Sequence, residues 1–118
     1  MKTAEEYTAR GRDFVNIGKM AKARKLFEKA IELSPGHAEA YFQRGFISLI
    51  TRNYSAAIED FTLAITLDPD FAEALFRRGT AYYFGEKCDK RAAIADITRA
   101  CELGCVPACE MLKRMGIT

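Results

Sequence analysis

Tryptophan is missing from the 118 residues, proline occurs three times and histidine once. The first 87 residues hold no cysteine; all four, Cys88, Cys101, Cys105 and Cys109, fall in the last third. A secreted disulfide scaffold spreads its cysteines along the chain, so a reducing cytoplasm is the expected setting. No apolar run approaches the ~20 residues needed to cross a bilayer. The opening Met1 to Glu6 leads into an amphipathic pattern rather than an apolar leader core, so no membrane association is expected. Eighteen basic and sixteen acidic residues leave a net charge of +2, too little for the concentrated basic surface that nucleic acid requires. Enzyme signatures are lacking too. There is no phosphate-binding loop, no dinucleotide fingerprint and no paired-histidine metal spacing. His37 stands in a turn with no patterned nucleophile nearby, and Glu59-Asp60 reads as part of a solvated outer helix. The expectation is a non-enzymatic protein without cofactor or metal. What is present is a chain 49% apolar and 29% charged, the balance of one soluble globular domain. No alternating stretch is long enough to seed a sheet, so the class expected is all-α.

The chain repeats itself. Ala38-Glu39-Ala40-Tyr41-Phe42-Gln43-Arg44-Gly45 returns 34 residues later as Ala72-Glu73-Ala74-Leu75-Phe76-Arg77-Arg78-Gly79. An earlier copy runs Ala4-Glu5-Glu6-Tyr7-Thr8-Ala9-Arg10-Gly11. Ala23, Phe27, Ala30 and Pro35 are matched by Ala57, Phe61, Ala64 and Pro69, and by Ala93, Ile97 and Ala100 in a third copy that arrives two residues late. Each unit divides into two helices. The first is expected at about 4–17, 38–51 and 72–84, the second at about 20–33, 54–67 and 89–103. Ser34-Pro35 and Asp68-Pro69 end the second helix, because the residue before proline is driven out of the α region. Gly11, Gly45 and Gly79 recur inside helices, where glycine costs ~1 kcal/mol against alanine, so close approach is the reason expected for them. Phe27, Phe61 and Ile97 are expected to fill the space between neighbouring units.

These residues resemble the tetratricopeptide repeat (TPR) family, whose 34-residue unit carries a tyrosine and glycine in its first helix, then A-x₃-F and a closing proline. Tyr7, Gly11, Ala23, Phe27 and Pro35 supply this in the first unit, and Tyr41, Gly45, Ala57, Phe61 and Pro69 in the second. The third unit has Leu75, Gly79, Ala93 and Ile97 but no closing proline. Arg10, Arg44 and Arg78 depart from the family's usual leucine. The resemblance implies a right-handed solenoid of three units, about 4–37, 38–71 and 72–105, with a capping helix at 107–116. The ending Ala100-Cys101-Glu102-Leu103-Gly104 to Cys109 is similar to the junction of Sel-like repeats, in which adjacent units can be joined by a disulfide at the spacing of Cys101 and Cys109. Gly104 and Pro107 interrupt the spacing of four between Cys101, Cys105 and Cys109, so it defines no metal site. Small buried thiols are the reading the residues favour on their own.

The family places its ligand groove on the first helix of each unit. Transferred position by position, that groove would be lined by Glu5, Thr8, Ala9, Arg12, Val15 and Asn16, then Glu39, Phe42, Gln43, Phe46, Leu49 and Ile50, then Glu73, Phe76, Arg77, Thr80, Tyr83 and Phe84. Residues 42, 46, 49 and 50 fall on one helical stripe independently of the family. The second unit's first helix is too apolar for one packing face, so part of it should stay exposed. A protein or peptide partner is therefore expected. Phe42, Phe46, Ile50, Phe76, Tyr83 and Phe84 would be its apolar contacts, and Arg12, Gln43 and Arg77 its polar ones. TPR domains that clamp the acidic tails of heat-shock chaperones use lysine, asparagine and arginine at five places. Those places hold Thr8, Arg12, Gln43, Glu73 and Arg77 here, so that clamp is not expected. The units alternate in charge, +3 over residues 1–37, −3 over 38–71 and +2 over 72–118. This leaves a self-associating homodimeric scaffold as the alternative.

Overall fold

The computed structural model describes residues 2–117. Among these, seven helices and no strand are present: α1 (Ala4–Asn16), α2 (Met20–Leu33), α3 (Ala38–Ile50), α4 (Tyr54–Leu67), α5 (Ala72–Phe84), α6 (Lys90–Glu102) and α7 (Val106–Arg114). Local chemistry sets the ends. Thr3 and Glu6 form a reciprocal capping box that satisfies two backbone N–H groups at the start of α1. Asn53 and Asp89 accept from the N–H of Ala56 and Ala92 to begin α4 and α6. Ser34 and Asp68, each before a proline, close α2 and α4.

The helices pack as consecutive hairpins, α1 on α2, α3 on α4 and α5 on α6, and each hairpin leans on the next. The stack is elongated, 49 × 25 × 22 Å. Fully buried alanines line the contacts: Ala23, Ala57 and Ala93 within hairpins, and Ala30, Ala64 and Ala100 near the junctions. The recurring glycines do answer to close approach. A Cβ on Gly45 would lie 2.9 Å from the Phe61 ring, and one on Gly79 would lie 2.7 Å from Ile97 Cγ1. Gly11 faces Phe27 in the same way. Phe27, Phe61 and Ile97 are thus seated inside their own hairpins. Phe27 and Phe61 also belong to buried clusters that reach the following unit, Phe27 with Ile47 and Phe61 with Ala74 and Ala81. They reach the space between units, as expected, but from a seat inside their own hairpins. A large side chain needs a missing one opposite, and the glycine supplies it within the hairpin.

Three details depart from what the residues favoured on their own. Asp60 is no solvated residue of an outer helix: it is 7% exposed and accepts two hydrogen bonds from Arg44, Nε to Oδ2 at 2.9 Å and Nη2 to Oδ1 at 2.8 Å. Arg78 grips Asp96 identically at 2.7 and 2.8 Å and also donates to Thr62. Each carboxylate holds its guanidinium pKa above the usual value, outweighing the opposite effect of burial. Second, the Cys101 and Cys109 thiols are not free: they are joined in a disulfide from α6 to α7, while Cys88 and Cys105 are unbonded. Third, α7 starts at Val106, one residue before the expected 107, and ends at Arg114 instead of 116. Its first residue lies 34 after that of α5, and Ala108 is fully buried like Ala40 and Ala74. The two extra residues in the turn before α6 are cancelled by a shorter α6 and a shorter α6–α7 turn. In register, α7 is the first helix of a further unit, cut to nine residues.

Candidate functional groove

The first helices of the three hairpins, α1, α3 and α5, lie side by side and touch one another along one face. Between them is an open depression of about 320 Å³, lined by Ala9, Arg12, Asp13, Val15, Asn16, Phe42, Gln43, Phe46, Glu73 and Arg77. A larger one, about 470 Å³, sits where the α3–α4 turn meets the α5–α6 turn, whose two extra residues help to wall it. Turn residues of both charge signs, Arg52 and Lys87 against Glu86 and Asp89, make up much of that wall. The smaller depression is shared by the first helices of all three repeats and holds most of the residues expected in the groove, so it is the stronger candidate.

Of the nine residues expected in the groove, five line this depression: Arg12, Phe42, Gln43, Phe46 and Arg77. Phe42 is only 4% exposed, its ring centroid 4.9 Å from Phe71 and 5.7 Å from Phe61. It is a core side chain forming the floor, and its expected role as an accessible apolar contact is corrected. Phe46 is half-buried. The Arg77 guanidinium lies 5.3 Å from the Phe46 ring centroid and 5.2 Å from that of Phe76, so it bridges two aromatic faces. Its Nε is buried without an acceptor, and its nearest carboxylate is Glu73 at 3.8 Å.

The other four lie elsewhere. Phe76 is half-buried against the cluster that α7 completes, as is Tyr83. Phe84 is 57% exposed and meets Tyr83 edge-on at 5.1 Å, at the far end of α5. Ile50 ends α3, is 46% exposed and does not line the depression. In the first unit, Thr8 is 2% exposed: its hydroxyl donates to Ala4 O at 2.8 Å and lies 3.0 Å from His37 Nε2. The α2–α3 turn therefore covers a position expected to face the ligand.

The polar side chains satisfy one another. Arg12 reaches Glu39 at 3.2 Å, and Gln43 Nε2 donates to the same Glu39 oxygen at 2.9 Å. Glu39, a transferred groove position not counted among the ligand contacts, and Asp13, missed in sequence, thereby enter the site. Glu39 gathers two groups expected to select a ligand, and Asp13 lines the wall as an exposed carboxylate. The signal was available, since glutamate occupies the second place of every unit as Glu5, Glu39 and Glu73. Among the described residues no cluster of three or more histidine, cysteine, aspartate or glutamate side chains is arranged to hold a metal. Among the described residues no helix is long and apolar enough to cross a membrane.

Comparison with known proteins gives this geometry a family. The tetratricopeptide repeat profile matches residues 8–70, more than half of the chain. An uncharacterized protein of Methanocaldococcus jannaschii is 37% identical over 59 residues, covering 50% of this chain and 69% of that protein. The second TPR of Spaghetti (RPAP3), solved with the HSP90 peptide SRMEEVD, superposes with a TM-score of 0.81 at 28% identity, covering 86% of this chain and 93% of that one. YrrB, described as a TPR protein with an unusual peptide-binding site, shares the fold alone. Its TM-score is 0.82 at 21% identity, over 96% of this chain and 58% of that one. Sequence period, hairpin packing and these matches agree: the chain belongs to the tetratricopeptide repeat family.

Proposed function

We propose that this protein is a non-enzymatic adaptor that binds a peptide segment of another protein in the depression shared by α1, α3 and α5. The observation that carries the reading is Phe46, an aromatic ring left half-exposed at the centre of a three-helix concavity. Burying such a ring against a ligand contributes roughly 1.5–3 kcal/mol before the cost of association. Peptide-bound relatives support the class of ligand, since the second TPR of Spaghetti was solved holding one. Within the proposal, Phe46 and Val15 make the apolar contact, Arg12 and Gln43 border it, and Arg77 props the Phe46 ring. Phe76, Ile50, Tyr83 and Phe84 form a separate apolar edge toward the α7 end.

The domain is proposed as one body of three units, 4–37, 38–71 and 72–105, closed by the helix expected at 107–116. Its last junction is read as Sel-like, a reading supported by the Leu103-Gly104 turn and the Cys101–Cys109 bond. That bond removes the main ground for a cytoplasmic setting, because disulfides persist chiefly in oxidising compartments. The test is affinity capture from native lysate with the wild type and Phe46→Glu. A partner held by the wild type and lost by the variant, with both melting at similar temperatures, is the expected result. Equal capture by a folded variant overturns the groove assignment.

A further inference from the structure

Each of the concavity's two cations has a carboxylate within 4 Å, whereas one of its carboxylates, Asp13, has no ion pair among the described residues. Arg12 is held by Glu39, which also takes the Gln43 amide. Arg77 spans Phe46 and Phe76 with its Nε buried and its side chain 33% exposed, Nη2 lying 3.8 Å from Glu73. A ligand carboxylate entering here would compete with Glu39 for Arg12 and with Glu73 for Arg77. In contrast, Glu73 is 57% exposed and has only the 3.8 Å contact with Arg77. Asp13 is exposed on the facing wall and has no ion pair among the described residues. Counting Glu39 with the lining side chains, the depression carries three carboxylates against two guanidinium groups, a negative patch on a chain of net charge +2.

We propose that the occupant is a cationic, apolar peptide segment of another protein. A lysine or arginine side chain would reach the Asp13 and Glu73 carboxylates beside a large apolar side chain on Val15 and Phe46. The inference deepens the peptide-groove reading and rests on it. It commits to charge of the sign opposite to the acidic peptide found in the second TPR of Spaghetti. The substitution responsible is legible: Glu73 stands where a tail-clamping groove needs a cation, and complementary potential selects partners chiefly by rejecting the wrong sign.

The test is selection from a random displayed-peptide library on the immobilised protein, with Phe46→Glu as the subtracting control. Selected peptides should be enriched in lysine or arginine within two or three residues of a large apolar residue. Their affinity should fall about 2–5-fold in Glu73→Gln and similarly in Asp13→Asn at low salt, the range for exposed ion pairs, with smaller losses at high salt. Enrichment of aspartate, glutamate or free C-terminal carboxylates overturns the cationic assignment and leaves the groove reading standing. Selected peptides indifferent to Phe46→Glu overturn both. So does a dimer in light scattering that Phe46→Glu dissociates, since a second copy would then be the occupant.

Discussion

Arg44 and Arg78 show how one substitution in a repeat is matched by another. Each replaces an apolar residue of the family pattern, and each is answered on the partner helix by an aspartate, Asp60 or Asp96, in bidentate geometry. The first unit lacks the answer, because Leu26 stands in the place of Asp60 and Arg10 is exposed. Removing one partner of such a part-buried pair leaves the other desolvated and uncompensated. Asp60→Ala should therefore lower the free energy of unfolding in urea by about 2–4 kcal/mol. Replacing both, Arg44→Leu with Asp60→Leu, should cost clearly less than the single change. A double variant as unstable as Asp60→Ala would contradict this account. With the guanidinium pKa raised in the folded state, the arginine's share of stability is complete below its usual pKa and is lost only as pH climbs through the raised value. Stability from this source is thus flat across neutral pH. The pairing was visible as arginine and aspartate recurring in register. It was read as exposed charge because the partners sit on different helices, and only packing brings them together.

At the scale of elements, six of the seven helices begin and end within a residue of the expected positions, since caps, prolines and a 34-residue period are local signals. The last two differ more in meaning than in extent. The shorter α6–α7 turn returns α7 to the register of a first helix, and the disulfide fastens it where Ile65 and Leu75 pack together one unit earlier. In a solenoid each element is held by its neighbours, so the effect of that bond should be local. Closing so short a loop contributes about 2–3 kcal/mol in the chain-entropy account. Cys101→Ala with Cys109→Ala should accordingly speed amide hydrogen exchange in 106–114 and in the end of α6, and leave α1 to α4 unchanged. Uniform loss of protection would show that the stack unfolds as one unit. Unchanged protection in α7 would show that Ala108 and Leu112 hold it unaided.

For the whole molecule, the legible part of the site was its placement on α1, α3 and α5, which follows from register. Accessibility was not legible. Phe42 and Phe46 lie one turn apart on the same stripe, yet Phe71 from the α4–α5 turn covers the first and leaves the second half-open. His37, from another turn, covers Thr8. Arg77 looked like a free selector and instead spans two rings, an outcome set by its rotamer rather than by its position. These contacts cross units and leave no trace in a periodic pattern. What emerges is a scaffold whose concavity between α1, α3 and α5 retains apolar surface around Phe46 and Val15. The most direct measurement is a two-dimensional amide NMR titration of the labelled protein with its tightest library-selected peptide. Saturable shifts should cluster on the inward faces of α1, α3 and α5 around Val15, Gln43, Phe46 and Arg77. Shifts gathered instead on α2, α4 and α6, or in the depression between the α3–α4 and α5–α6 turns, would contradict the account.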